Sequence, residues 1–162
     1  MIHAILVQFP HGMNKMKNKD VMFSHNTDDW KTPSNIIEAM KEHNFIDTFN
    51  YKCEGLYDEF ANNYYYKKLY CNPPYSKLKE VVEWLKRQVE NECQIVLNIP
   101  SRTDTRYFHE LLKLNPLIYF VKGRLKFGEY QQSSAPFPSL LIYIYIKIQR
   151  HKNMMVEVLK NL

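Results

Sequence analysis

Short apolar runs that stop abruptly, each separated from the next by an amphipathic helical stripe, govern what this chain can fold into. FIDTF (45–49), KLYC (68–71) and QIVLNI (94–99) are of strand length, and each breaks at a polar or proline-containing stretch. Between them lie Ile36, Ile37 and Met40, then Leu78, Val81, Val82, Leu85 and Val89, then Tyr107, Phe108, Leu111 and Leu112. The i, i+3, i+4, i+7 spacing of these sets predicts helices. Thr32 is expected to cap the first helix with Pro33 at its opening position, Ser76 to cap the second, and Asp104 to stand before the third. LIYFVKGRLKFG (117–128) reads as a strand with Gly123 inside it. SLLIYIYIKI (139–148) reads as another, with Ile142, Ile144, Ile146 and Ile148 on one face. Strands joined through helices pair in parallel and are buried on both sides. The predicted fold is therefore α/β: a mostly parallel sheet with helices on both faces.

One such domain uses up the chain. Its 162 residues are enough for a single core, expected over 21–162. HGMNKMKNKD (11–20) is polar, basic and without periodicity, so residues 1–20 are expected to form a mobile arm. No stretch approaches the ~18 consecutive apolar residues of a membrane span, and MIHAILVQF lacks the basic lead of a signal peptide. Cys53, Cys71 and Cys93 are odd in number and widely spaced, and the histidines are scattered. That pattern suggests free thiols in a reducing, cytoplasmic setting and no metal site. Lys and Arg number 22 against 17 Asp and Glu, a basic balance that favours a polyanionic partner.

In a parallel sheet, ligands sit beyond the carboxyl ends of the strands. Here those ends carry Asp47, then Asn72-Pro73-Pro74-Tyr75, then Pro100-Ser101-Arg102-Thr103-Asp104. The Pro-Pro corner stops a strand, because proline lacks a donor and fixes φ. It also offers carbonyl oxygens beside the Asn72 side-chain oxygen. Two acceptors match the two hydrogens of an amino group, and drawing both away frees a lone pair otherwise shared with an aromatic ring. Tyr75 adds a flat face for a planar ring. A rigid corner of this kind is suited to gripping a planar amine, with its acceptors aimed in advance. The bland alternative is a rigid strand-to-helix turn. Lys122, Arg124 and Lys126 alternate, so on a strand they would share a face able to track phosphates or simply to guard an edge. Tyr64, Tyr65 and Tyr66 read as packing residues more than a base platform.

In this order the motifs resemble the small phage-type DNA adenine methyltransferases of the Dam family. The resemblance runs from about Asp29 to Ile148 and rests on Trp30, Thr32 and Pro33, on Asp47 followed by Asn50-Tyr51-Lys52-Cys53, and on CNPPYS, PSRTDTRYFH, KGRLKF and APFPSLLIY. It implies a Rossmann-like methyltransferase fold using S-adenosylmethionine. Trp30, Thr32, Pro33, Asp47 and the backbone near Asn72 would meet the cofactor. Asn72, Pro73, Pro74 and Tyr75 would hold a flipped-out adenine, while Arg102, Lys122, Arg124 and Lys126 would face double-stranded DNA. With no room for a sizeable target-recognition domain, a second copy of the chain is a candidate partner. The acid is followed by Thr48-Phe49 where the family usually has a small Ala-containing turn, and with Gly 4 in the whole chain no glycine-rich cofactor loop is present. That absence motivates a second reading, a nucleic-acid-binding relic without catalysis. Methylation of cytosine or of protein glutamine is a third.

Overall fold

The computed structural model describes residues 3–7, 31–49, 59–127 and 134–145. Within them the elements run β1 (His3–Val7), α1 (Ser34–Glu42), β2 (Ile46–Thr48), β3 (Lys68–Cys71), α2 (Leu78–Glu90), β4 (Gln94–Pro100), α3 (Arg106–Leu112), β5 (Leu117–Val121) and β6 (Ser139–Ile144). The strands form a six-stranded sheet in the order β1-β5-β6-β4-β3-β2. β2, β3 and β4 pair in parallel, as do β1 and β5, and β6 runs antiparallel between β4 and β5. Every strand but β6 therefore points the same way, which bears out a mostly parallel α/β sheet.

Strand alternation splits the core into two layers. Leu69, Cys71, Ile95, Leu97, Ile99, Ile118, Leu140, Ile142 and Ile144 face α2 and α3. Tyr70, Val96, Leu117, Tyr119, Leu141 and Tyr143 face α1, packing with Ile36, Ala39 and Met40. Helices thus cover both faces. Ile142 and Ile144 share a face as expected, while Ile146 and Ile148 lie outside the described residues.

Each helix stops at a left-handed residue: Asn44 (φ 60) after α1, Glu92 (φ 58) after α2 and Asn115 (φ 52) after α3. Two of these are Asn, whose short polar side chain tolerates that conformation, and each turn returns an N–H to the helix it ends. The helix starts differ from expectation. Pro33, not Thr32, is the N-cap of α1, and its carbonyl accepts from the N–H groups of Ile36 at 3.0 Å and Ile37 at 3.1 Å. Ser76 lies inside a 3-10 turn, Tyr75–Lys77, that precedes α2. Thr105, not Asp104, caps α3, and the Thr105 hydroxyl bonds the Arg102 carbonyl at 2.7 Å instead of the helix.

Two larger expectations also change. The stretch 1–20 was expected to be an arm, yet His3–Val7 adds a parallel edge strand against β5. An apolar HAILV can satisfy its backbone there, and the rest of that stretch lies outside the described residues. The strand at 117–128 ends at Val121, because Gly123 adopts φ 87 and turns the chain. Lys122, Arg124 and Lys126 therefore do not form a row on one strand face. Lys122 is half-buried, while Arg124 and Lys126 are exposed on either side of buried Leu125.

Candidate active site

Because β2, β3 and β4 are parallel neighbours, their carboxyl ends lie side by side, and the chemistry predicted for each is brought together. Asn72 follows the last residue of β3 and is 5 % exposed. Its amide is held at both ends. Nδ2 donates to Thr32 Oγ1 at 3.1 Å, and Oδ1 accepts from the Tyr75 hydroxyl at 3.0 Å. Thr32, released from a capping role, is thus a partner of the corner.

The prolines do two separate jobs. Pro73 is buried, and among the described residues its carbonyl accepts no backbone hydrogen bond. Pro74, at φ −60 and ψ 120, turns the chain into the 3-10 turn, where its carbonyl accepts from Lys77 N–H at 3.0 Å. Strand stop and helix start are therefore consecutive. Tyr75, partly exposed at the start of that turn, meets Phe137 edge to face at 5.5 Å, and Phe137 in turn contacts Phe127 at 6.4 Å. Sequence reasoning did not single out Phe137, although a Phe between two prolines in APFPS was a visible signal.

Beneath the corner lies a polar group on the α1 side of the sheet. Tyr70 is fully buried, accepts from Asn98 Nδ2 at 3.3 Å and is also hydrogen-bonded by the Thr32 side chain. Burial keeps its hydroxyl protonated far above the usual tyrosine range. Asn98 is completely buried, and among the described residues its Oδ1 has no hydrogen-bond partner. An unpaired buried acceptor is costly and calls for a donor from elsewhere. Asn98 was also overlooked, though an Asn inside the apolar run QIVLNI is the kind of residue that must have a reason to be there. Asp47 pairs in register with Tyr70, so its side chain shares that face. Burial pushes its carboxyl up to about 6, with Lys41 pulling the other way.

The chain matches the family model described as DNA N-6-adenine-methyltransferase (Dam) over residues 20–160. It belongs to the Dam family. No curated protein and no solved structure was matched. Membership makes this in general a DNA adenine methyltransferase, with DNA as its substrate.

On the Dam-family chain the remaining expected residues fall as follows. Arg102 stands half-buried in the loop after β4, its N–H on the Pro100 carbonyl at 2.8 Å. Lys126 bridges to Ser134, and Ala135 N–H bonds the Leu125 carbonyl at 2.7 Å, so the loop bearing Arg124 and Lys126 is tied to the segment that carries Phe137. Trp30 lies outside the described residues. Cys71 is free and buried, with burial raising its thiol well above the ordinary range, as suits a packing residue. Tyr64 packs on Trp84 while Tyr65 and Tyr66 are exposed, at the end of β3 away from the site. No group of metal-ligating side chains occurs among the described residues, and no described helix is long and apolar enough to cross a membrane.

Proposed function

We propose that the protein transfers a methyl group from S-adenosylmethionine to the N6 amino group of an adenine extruded from double-stranded DNA, on a Rossmann-like scaffold. The observation that carries this reading is the Asn72 amide. It is buried, its Oδ1 already accepts a hydrogen bond from the Tyr75 hydroxyl, and the next residue, Pro73, is buried with a carbonyl that accepts no backbone hydrogen bond among the described residues. An adenine amino group displacing that hydroxyl would find two acceptors for its two hydrogens, and the pull on both turns a conjugated, weakly basic nitrogen into a nucleophile. The hydroxyl is a stand-in for the substrate's own N–H. Tyr75, backed by Phe137, offers its ring to the base. The target nitrogen lies within the base stack of a duplex, so it reaches this corner only if the nucleotide is flipped out.

The cofactor fits the donor-poor side of the site. Asp47 is a desolvated carboxylate without a hydrogen-bond partner among the described residues, and Asn98 Oδ1 is an orphaned acceptor. Both favour a ligand rich in hydrogen-bond donors, as S-adenosylmethionine is, with Asp47, Pro33 and the backbone near Asn72 as its holders. When bound, it supplies the electrophilic methyl group. Arg102, Arg124 and Lys126 hold the phosphates on either side of the flipped base, with a second copy of the chain as the candidate for the rest of the duplex.

Asn72→Ala tests the central residue. Loss of one aligned contact in a closed site costs about 3–4 kcal/mol of barrier, so single-turnover methyl transfer should fall by roughly two to three orders of magnitude. S-Adenosylmethionine affinity, measured by calorimetry, should stay within a few-fold. A rate close to wild type would refute the role given to Asn72. Failure of the unaltered protein to bind the cofactor would favour the non-catalytic reading.

A further inference from the structure

We infer that Thr32 is a positioning residue that decides which end of the Asn72 amide faces the substrate, an inference that rests on the role proposed for Asn72. A carboxamide has two ends of nearly equal size and opposite hydrogen-bonding sense, and a half-turn about its last torsion exchanges them. Only one orientation serves. With Oδ1 outward the amide accepts from an amino group; with Nδ2 outward it presents hydrogens to hydrogens. The covalent structure of Asn72 does not choose between them, so its neighbours must.

The neighbour on the inner side is Thr32. Its Oγ1 accepts from Asn72 Nδ2 at 3.1 Å, which leaves Oδ1 on the side of Tyr75. The oxygen of Thr32 is in turn committed by what lies beneath it. Tyr70 is buried and neutral, it accepts from Asn98 Nδ2 at 3.3 Å, and its hydrogen bond with the Thr32 side chain favours the charged phenol, so the Thr32 hydroxyl gives its proton to Tyr70. With its proton directed at Tyr70, the Thr32 oxygen is left to accept from Asn72 Nδ2. Without that oxygen, a buried Nδ2 would be left unsatisfied against a methyl group, which is costly. Rotating the amide relieves the cost only by turning Oδ1 away from the substrate. Thr32 needs no contact with the reacting atoms for this, and the capping position of α1 is filled by Pro33.

The test compares Thr32→Val, which keeps shape and loses the oxygen, with Thr32→Ser, which keeps the oxygen; Thr32→Ala replaces the first if it does not fold. Removing a group that orients an active-site ligand costs about 10–100-fold at metal sites, and a loss of that size is expected here in the single-turnover rate of Thr32→Val. Thr32→Ser should stay within a few-fold of wild type, and both should bind S-adenosylmethionine as wild type does. An unchanged rate in Thr32→Val overturns the inference. So does a parallel loss of cofactor affinity, which would make Thr32 a cofactor contact. If wild-type protein transfers no methyl group, the proposed function fails separately, and the Asn72 side-chain amide signals in a nitrogen–proton correlation spectrum decide. These signals are assigned by their loss in Asn72→Ala. They should shift and exchange faster with water in Thr32→Val but not in Thr32→Ser; identical signals in both overturn the inference.

Discussion

A single hydroxyl separates two uses of Tyr75. It donates to Asn72 Oδ1, yet the ring is what a base would stack upon. Tyr75→Phe removes a competitor for Oδ1 and should leave methyl transfer within a few-fold of wild type. Tyr75→Ala removes the stacking face, worth about 1–3 kcal/mol per base, and should raise the apparent KM for DNA by roughly 5–150-fold. Equal losses in the two variants would assign the function to the hydroxyl. Asp47 makes a prediction about pH. Its carboxyl titrates at about 6 in the folded protein, above its ordinary 3.8, so the ligand-free fold prefers it protonated. The stability it contributes is therefore present below the ordinary value and lost as pH rises through about 6. Asp47→Asn should accordingly raise the melting temperature near neutrality and do little below about pH 4. Cofactor affinity should run the other way, climbing between about pH 5 and 7 as the carboxylate forms, and Asp47→Asn should bind weakly with no such slope. Asp47, Asn72 and Tyr75 were legible in the sequence because each interrupts an apolar run at a strand end. The bond from Asn72 to Thr32 was not, since 40 residues separate them and only the packing of α1 over the sheet joins them.

Elements position these residues, and α2 anchors the most. Trp84 is fully buried, meets Phe49 at 5.2 Å, and donates to the Asn62 carbonyl at 3.2 Å. Gln88, also fully buried, accepts from Tyr64 N–H at 2.8 Å and donates to Asn62 at 3.0 Å. Together they fasten the segment leading into β3, and so fix where that strand delivers Asn72. Trp84→Ala should cost about 3–5 kcal/mol, read as a fall in the urea midpoint. The stripe Leu78, Val81, Val82, Leu85 and Val89 was readable from spacing, and it is the buried or partly buried face of the helix. Gln88 was not, because a polar residue at a core position looks like a surface residue until its backbone partners are in view. Helix starts misled for a related reason. Thr32, Ser76 and Asp104 all have the side chains of caps, but in each case another residue occupies the capping position. Propensity cannot see that competition.

At the scale of the whole molecule, the parallel order β2-β3-β4 gathers one polar end from each strand on the same edge of the sheet. Alternating strand and helix patterns made that gathering readable. The edge strand β1 was not, because HAILV sits in a stretch whose later residues are basic and aperiodic, and its partner β5 is more than a hundred positions away. The positive loop beside the site was read correctly in charge and wrongly in form, since one glycine at φ 87 ends the strand early. With Lys122 half-buried, Arg124 and Lys126 are the exposed pair. Changing both to Gln should weaken binding on every DNA sequence and flatten the log–log salt dependence by about two units, at roughly one per phosphate, leaving cofactor affinity unchanged. Parallel lines for wild type and double variant would remove this loop from the DNA surface. The most direct measurement takes the protein itself, radiolabelled S-adenosylmethionine and mixed-sequence duplex DNA, and identifies the labelled nucleoside after digestion. The account predicts N6-methyldeoxyadenosine, absent when Asn72 is Ala. Label on cytosine, or none in DNA from a protein that binds the cofactor, would contradict it.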